Sequence, residues 1–442
     1  MDTPICNFVG QYAAENGLRL HMPGHKGASF LGMEQLDITE IQGADSLYEA
    51  TGIIAQSEEN ASWLFGCKTF YSTEGSSQCI RAMLYLLQLQ AKRIGKKPLI
   101  AAGRNAHKTF LTAAALLDLQ VDWLYPAENP SYLSCDLTAG ELEHYFQTAA
   151  QLPVAVYLTS PDYLGQVADI AALAEICHQY GVLLAVDNAH GAYLKFLPRS
   201  MHPMDLGADI CCDSAHKTLP VLTGGAYLHL SERVDSTQAK NALMLFGSTS
   251  PSYLILQSLD AANMYLEKYP RQLENLLPAV AALKKRLCDQ GYTLYGNEPL
   301  KLTIDAKAYG YTGRQLADLL RQQKIEPEFA DPDYVVLMLS AVADEKMLAQ
   351  LEKALCQIQK KSPLEEKCPH FTQGKQMLSI REAMLAATEL VPVADCVGRI
   401  LAVPTVGCPP AVPILVCGEQ IDQNAIACFA YYGIDRCCVV KE

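Results

Sequence analysis

The sequence predicts an α/β fold, with a mostly parallel sheet in its first half and smaller α+β units after it. Three observations carry that expectation. Short apolar runs alternate with amphipathic stretches from about residue 65 to residue 230. Two of those runs, Val182-Leu-Leu-Ala-Val-Asp187 and Ile210-Cys-Cys-Asp-Ser214, pass straight from buried-type residues to polar ones. Beyond residue 250 the periodicity turns helical and the strands become sparse.

Taken in order, Thr73-Glu-Gly-Ser-Ser-Gln78 precedes a helical run from Cys79 to Leu89, with a glycine and two hydroxyls at its start. Strands follow at Pro98–Gly103, Val121–Tyr125, Val154–Thr159, Val182–Asp187, Ile210–Ser214 and Gly225–Leu230. Between them, Lys108–Leu119 and Asp169–Tyr180 have helical spacing, the second stopping at Gly181. Helices are expected at Ser252–Lys268 and Arg271–Gln290, then strands at Lys301–Asp305 and Tyr334–Leu339, with a capping box at Thr312-Gly-Arg-Gln315. The polar stretch 360–369 reads as a linker, and a last unit opens on a second capping box, Ser379-Ile-Arg-Glu382. The expected divisions are an N-terminal segment 1–45, a large domain 46–250, a helical connection with a small α+β domain 251–360, and a C-terminal domain 361–442.

Composition narrows the function. A chain of 442 residues with 50% hydrophobic content can bury a large core. No apolar stretch approaches the roughly 20 residues of a membrane helix, and the N-terminus lacks a signal-peptide pattern, so the cytoplasm is the expected location. A net charge of -13 without a basic cluster argues against nucleic acid as a partner and mildly favours a cationic small molecule. The 16 cysteines include no Cys-x-x-Cys pair, and no metal is expected.

Parallel sheets collect ligands at strand C-termini. There this chain places Lys217, in Asp213-Ser-Ala-His-Lys217, and Asp187. An amine for a Schiff base and an anion for a ring nitrogen are what pyridoxal 5'-phosphate requires, because the protonated ring must accept the electrons of a broken α-bond. Ser214 and His216 flank the lysine with donors for a phosphate, and Gly75, Ser76 and Ser77 stand at a helix start, where amides and the dipole suit a dianion. His107, after the strand ending at Gly103, is a candidate to lie against the ring, and His190 a candidate to face it from the loop after Asp187.

In this order, His21-Met-Pro-Gly-His-Lys-Gly27, Gly75-Ser-Ser77, Asn105-Ala-His-Lys108, Asp187-Asn-Ala-His-Gly191, Ser214-Ala-His-Lys217, Ser248-Thr-Ser-Pro251 and the block Val397–Glu419 resemble the bacterial ornithine/lysine/arginine decarboxylases. The resemblance implies the aspartate-aminotransferase-like fold type I of pyridoxal phosphate enzymes, with a seven-stranded large domain and smaller α+β C-terminal domains. It implies Lys217 as the Schiff-base lysine, Asp187 at the ring nitrogen and His107 stacked on the ring. Ser76, Ser77, Ser214 and His216 would bind the phosphate, joined by Ser248, or Thr249, of a neighbouring subunit, so that the active unit is a homodimer or a larger homo-oligomer. His21, His25, Lys26 and Glu419 fall on the substrate side, Glu419 at the cationic end. The chain resembles the short form that lacks an N-terminal wing.

Departures concentrate on the substrate side. An aromatic-Pro-Pro-Gly pattern is here Cys408-Pro-Pro-Ala411, and Pro-Gly-Glu is Cys417-Gly-Glu419. The expected reaction is decarboxylation of a basic L-amino acid, arginine first and then lysine or ornithine, to CO2 and an amine of the polyamine type. The alternative is another reaction on the same cofactor, transamination or β-elimination. An arginine clamping the α-carboxylate would mark transamination, and Arg381 and Arg399 are the residues to inspect. A binding protein that had lost catalysis would have lost Lys217 or Asp187, and both are present.

Overall fold

The computed structural model of the chain describes residues 1–126, 131–404 and 411–441. The expected large sheet is seven-stranded, with strands β1 (Lys68–Ser72), β2 (Leu99–Gly103), β3 (Gln120–Leu124), β4 (Ala155–Thr159), β5 (Leu183–Asp187), β6 (Ile210–Asp213) and β7 (Ala226–Leu230) in the order β1-β7-β6-β5-β4-β2-β3. β2 runs parallel to β3 and β5 to β6, while β7 is antiparallel to both β6 and β1. Every residue of β2, β6 and β7 is buried, as expected of strands covered on both faces. The strand that the apolar runs did not disclose is β1. Its sequence Lys-Thr-Phe-Tyr-Ser is half polar, and Thr69 and Ser72 are buried by pairing their hydroxyls rather than by apolarity.

The chain divides into two compact units. The first comprises Met1–Pro98, Leu152–Tyr157 and Ile170–Leu273. It contains β1, β5, β6 and β7 and the helices Ile53–Phe65, Gly75–Arg93 and Tyr253–Leu266. Helix Ile170–Gln179 stops where Gly181 takes φ +67, the left-handed conformation that ends helices on glycine.

The second unit comprises Leu99–Gln151, Leu158–Asp169 and Glu274–Glu442. It carries an antiparallel four-stranded sheet, with β8 (Thr293–Tyr295), β9 (Lys301–Asp305), β10 (Phe329–Ala330) and β11 (Tyr334–Met338) in the order β10-β11-β9-β8, and a ribbon of β12 (Thr388–Pro392) with β13 (Arg436–Val440). Both expected capping boxes form, Thr312 with Gln315 and Ser379 with Glu382. Each such N-cap is worth about 1 kcal/mol. Leu401, Leu415, Phe429 and Val439 share one core with Tyr132, Leu133, Leu164 and Val336, so the C-terminal segment is stabilised by residues from far earlier in the chain. Segment 360–369 has neither helix nor strand. Among the described residues no helix is long and apolar enough to cross a membrane.

Candidate active site

β5 ends on Asp187 and its neighbour β6 on Asp213, with Asp187 paired in register to Cys212. Ser214 then leads into a one-turn helix, Ala215–Thr218, which carries His216 and Lys217. Parallel pairing therefore brings the aspartate and the lysine to the same end of the sheet.

Asp187 is 2% exposed. Tyr157 Oη donates to its Oδ2 at 3.1 Å, and its Oδ1 accepts from the Ala189 amide at 3.2 Å and the Cys212 thiol at 3.6 Å. Burial pushes its carboxyl above the usual carboxylate range, while the Lys217 ammonium and these donors pull it back. Such a carboxylate gains from a buried cationic partner. Lys217 itself is exposed, and its Nζ lies 3.0 Å from His190 Nε2, on the turn that follows Asp187.

On the phosphate side, Gly75 opens helix Gly75–Arg93 at φ +71, and the residue before it, Glu74, gives that helix start no side-chain cap. First-turn amides of an uncapped nineteen-residue helix favour an anion. Ser214 Oγ donates to Ser76 Oγ at 2.8 Å, which joins the two hydroxyl-bearing segments, and Gly75 N–H donates to Gly224 O at 2.7 Å. His216 Nδ1 is 2.9 Å from Gly225 O; burial lowers the imidazole's pKa, so a neutral ring is favoured. An exposed amine, a buried anion and a hydroxyl-lined helix start fit pyridoxal 5'-phosphate.

Beneath this surface lies a polar cluster that sequence reasoning missed. Asp213, fully buried, accepts on Oδ2 from His202 Nε2 at 3.0 Å and His229 Nε2 at 3.1 Å, and on Oδ1 from Asn188 Nδ2 at 2.7 Å. Burial disfavours charge on Asp213 and on His229, but their mutual attraction wins, lowering the carboxyl and raising the imidazole. His202, Cys211 and Asp213 have the composition of a metal site. The Met204 amide, however, donates to His202 Nδ1 at 3.4 Å, which leaves Nε2 as the protonated nitrogen facing Asp213. The arrangement is a hydrogen-bonded relay, and its only sequence signal is the aspartate immediately before Ser214.

The remaining candidates sit as follows. His107 caps helix Lys108–Leu117, its Nδ1 accepting from the Thr109 amide at 3.1 Å and Thr109 Oγ1 at 2.9 Å, which leaves the proton on Nε2. In the same unit Glu419 is 1% exposed, and its Oε2 accepts from the Val416 amide at 2.8 Å. Burial raises its carboxyl, and Arg104 offsets part of that rise. Gly418 turns the chain here at φ +89, where a Cβ would stand 2.2 Å from Leu378 O. His21, His25 and Lys26 find partners nearby in the chain: His21 Nε2 meets Tyr12 Oη at 2.6 Å, His25 Nε2 meets Asp37 at 3.2 Å, and Lys26 donates to His21 O. Ser248 is exposed, its amide donating to Glu74 and its Oγ accepting from Ser250 N–H. Of the substrate-side departures, Ala411 and Cys417 are buried, whereas Cys408 lies outside the described residues.

Known proteins agree with this architecture. Residues 3–295 match the family model "Orn/Lys/Arg decarboxylase, major domain" and residues 369–435 its C-terminal domain. An arginine decarboxylase of Halalkalibacterium halodurans is 30% identical over 464 residues, covering 96% of this chain and 92% of that protein. The uncharacterized protein YaaO of Bacillus subtilis is 28% identical over 455 residues, covering 96% and 93%. Among solved structures, the Francisella novicida lysine decarboxylase LdcF superposes with a TM-score of 0.81 at 16% identity, covering 99% of this chain and 81% of that one, a likeness of fold. The protein built on this sheet end is a member of the Orn/Lys/Arg decarboxylase family.

Proposed function

We propose that the protein decarboxylates a basic L-amino acid, arginine first and then lysine or ornithine, to CO2 and the corresponding amine. The observation that carries this reading is the exposed Lys217 amine within electrostatic reach of the buried, donor-oriented Asp187. Pyridoxal 5'-phosphate, when bound, supplies the electron sink for the pair left at the α-carbon as CO2 departs. Lys217 would attach the cofactor, and its amine, 3.0 Å from His190 Nε2, would be the group that returns a proton to the α-carbon. Asp187 would keep the ring nitrogen protonated. Ser76, Ser77, Ser214, His216 and the amides at the helix start after Gly75 would hold the phosphate, and the family resemblance gives His107 the role of the imidazole that would stack on the ring. Glu419 would take the cationic end of the substrate, and the family resemblance makes His21, His25 and Lys26 further substrate-side candidates.

Decarboxylation is favoured over transamination because Arg381 and Arg399, the two candidates named for an α-carboxylate clamp, are engaged elsewhere. Arg381 donates to the carbonyls of Ala115 and Leu116 at 2.9 and 3.1 Å, and Arg399 to Glu389 and the Val440 carbonyl. An α-carboxylate left without such an anchor is free to leave as CO2. The active unit is read as a homodimer or larger assembly, with Ser248 or Thr249 reaching a neighbour's phosphate site. Supporting this are the exposed Leu18, Leu20, Phe30 and Leu31, an apolar set that a lone chain leaves in water. Light scattering of the purified protein tests that reading; a monomer at micromolar concentration overturns it.

The deciding experiment incubates cofactor-loaded protein with equimolar arginine, lysine and ornithine and identifies products by mass spectrometry. Agmatine, cadaverine or putrescine establishes the reaction and names the substrate. No amine, with the cofactor bound, rejects it in favour of keto-acid or elimination chemistry.

A further inference from the structure

Arg104 directly follows β2 and stands three residues before His107, yet no cofactor motif requires a cation there. Arg104 is 7% exposed, and its guanidinium spreads over three acceptors: Nε donates to Tyr125 Oη at 3.1 Å, Nη1 to Pro413 O at 2.9 Å and Nη2 to Ile414 O at 2.9 Å. Its Cζ lies over the Trp123 ring, 5.7 Å from the centroid. At the other end of the same short run, Lys108 N–H donates to Ala411 O at 2.8 Å. The peptide Ala411–Ile414 is thereby fastened at both ends to the segment that carries His107.

From this fastened run the chain continues to Glu419, whose carboxylate folds back on the Val416 amide. A buried carboxylate needs a compensating cation, and Arg104 is the opposite charge that acts on it. A planar guanidinium can satisfy two diverging carbonyls and a phenol at once; a lysine ammonium on a longer, freely rotating stem cannot reproduce that fork.

We propose that Arg104 is a positioning residue for substrate selection: it fixes the Ala411–Glu419 segment on the strand end that bears His107, so that Glu419 meets the cationic end of a basic amino acid from one set loop geometry. The inference rests on the reading of Glu419 as the group that faces substrate. It assigns selectivity to a residue that need not touch the substrate, because a segment released by a few tenths of an ångström no longer distinguishes a basic side chain from a neutral one of similar length.

The test uses the cofactor-loaded protein and two variants, Arg104→Lys and the milder Tyr125→Phe. Steady-state kinetics are measured on the preferred basic amino acid and on norleucine, together with cofactor content and absorbance. Arg104→Lys is expected to raise KM for the basic substrate by about tenfold, with a smaller fall in kcat, and to cut the basic-over-norleucine preference by a similar factor at unchanged cofactor absorbance. Tyr125→Phe is expected to move the same two quantities in the same direction by about threefold, and it carries the test alone if Arg104→Lys does not fold. An unchanged preference, or a loss of kcat and cofactor together at constant preference, overturns the proposal. If the unmodified protein turns over no basic amino acid, the decarboxylase reading itself fails; unchanged selectivity in an active enzyme defeats only the role of Arg104.

Discussion

Tyr157 Oη donates to Asp187 Oδ2 at 3.1 Å, from the strand next to the one that ends on the aspartate. This contact fixes the direction in which the carboxylate's other lone pairs point, and a hydrogen bond to a charged group is worth about 1.5 to 3 kcal/mol. Tyr157→Phe is expected to leave the fold intact and to weaken pyridoxal phosphate binding by about tenfold, measured by titrating cofactor fluorescence. Equal affinity in both proteins would remove Tyr157 from the site.

Lys217→Ala is expected to abolish both turnover and the absorbance band of covalently held cofactor. The side chain is exposed, so its loss opens no cavity and the fold is expected to persist, although Asp187 loses the ammonium that offsets its burial. A variant that keeps the band defeats the assignment of the whole site.

Glu419→Gln tests the substrate side. Removing one partner of a charge-assisted hydrogen bond to a buried cation costs about 2 to 3 kcal/mol in kcat/KM on the preferred basic substrate. Because Glu419 also accepts from Val416 N–H, which glutamine still satisfies, the loss is expected in kinetics rather than in melting temperature. Unchanged kinetics make the carboxylate a structural anchor of its own loop.

Asp331 offers a pH prediction remote from the chemistry. Its Oδ1 accepts the amides of Asp333 and Tyr334 at 2.7 Å each, while Oδ2 is buried without a hydrogen-bond partner. Burial pushes the carboxyl up from 3.8 to about 7. A folded-state pKa above the unfolded one means that the folded chain holds the proton longer. The resulting stabilisation is complete below about pH 4 and is lost as pH rises through about 7. Asp331→Asn removes the buried charge, so it is expected to stabilise the protein by on the order of 2 to 4 kcal/mol at pH 8 and by well under about 1 kcal/mol at pH 4, read from urea unfolding at the two pH values. Equal effects at both would show that the carboxyl ionises normally.

Ala411 stands where relatives were expected to carry glycine, and its φ of +55 is the left-handed region that L side chains avoid. Ala411→Gly is expected to stabilise the protein by about 1 kcal/mol, seen as a rise in melting temperature. A fall would mean that the methyl group's packing outweighs the backbone strain it causes.

Much of this was legible in the sequence because strand-terminal chemistry is local. Apolar runs that end in Asp187 or Asp213-Ser214 announce both a buried strand and a site at its end, and the turn to Lys217 follows within a few residues. The capping boxes at Thr312 and Ser379 were equally readable, since a cap is a four-residue affair. What escaped were interactions closed over long sequence distances. β1 is held by hydroxyl pairing with β7, Asp213 gathers His202 and His229 from separate segments, and Arg104 reaches across more than three hundred residues to Pro413. No periodicity encodes such partners. A lone arginine after a strand or a histidine inside one looks like any other until the topology closes.

Asp213 and Ser214 differ in environment as sharply as neighbours can: the carboxylate belongs to a sealed knot of imidazoles, and the hydroxyl one peptide unit later belongs to the binding surface. Variation that begins at Ser214 alters what the protein holds, whereas variation at Asp213 strands two buried histidines and alters whether there is a protein to hold it. The boundary between a negotiable and a non-negotiable residue is here a single amide bond, and a library that respects it has freedom to explore new ligands on an undamaged floor.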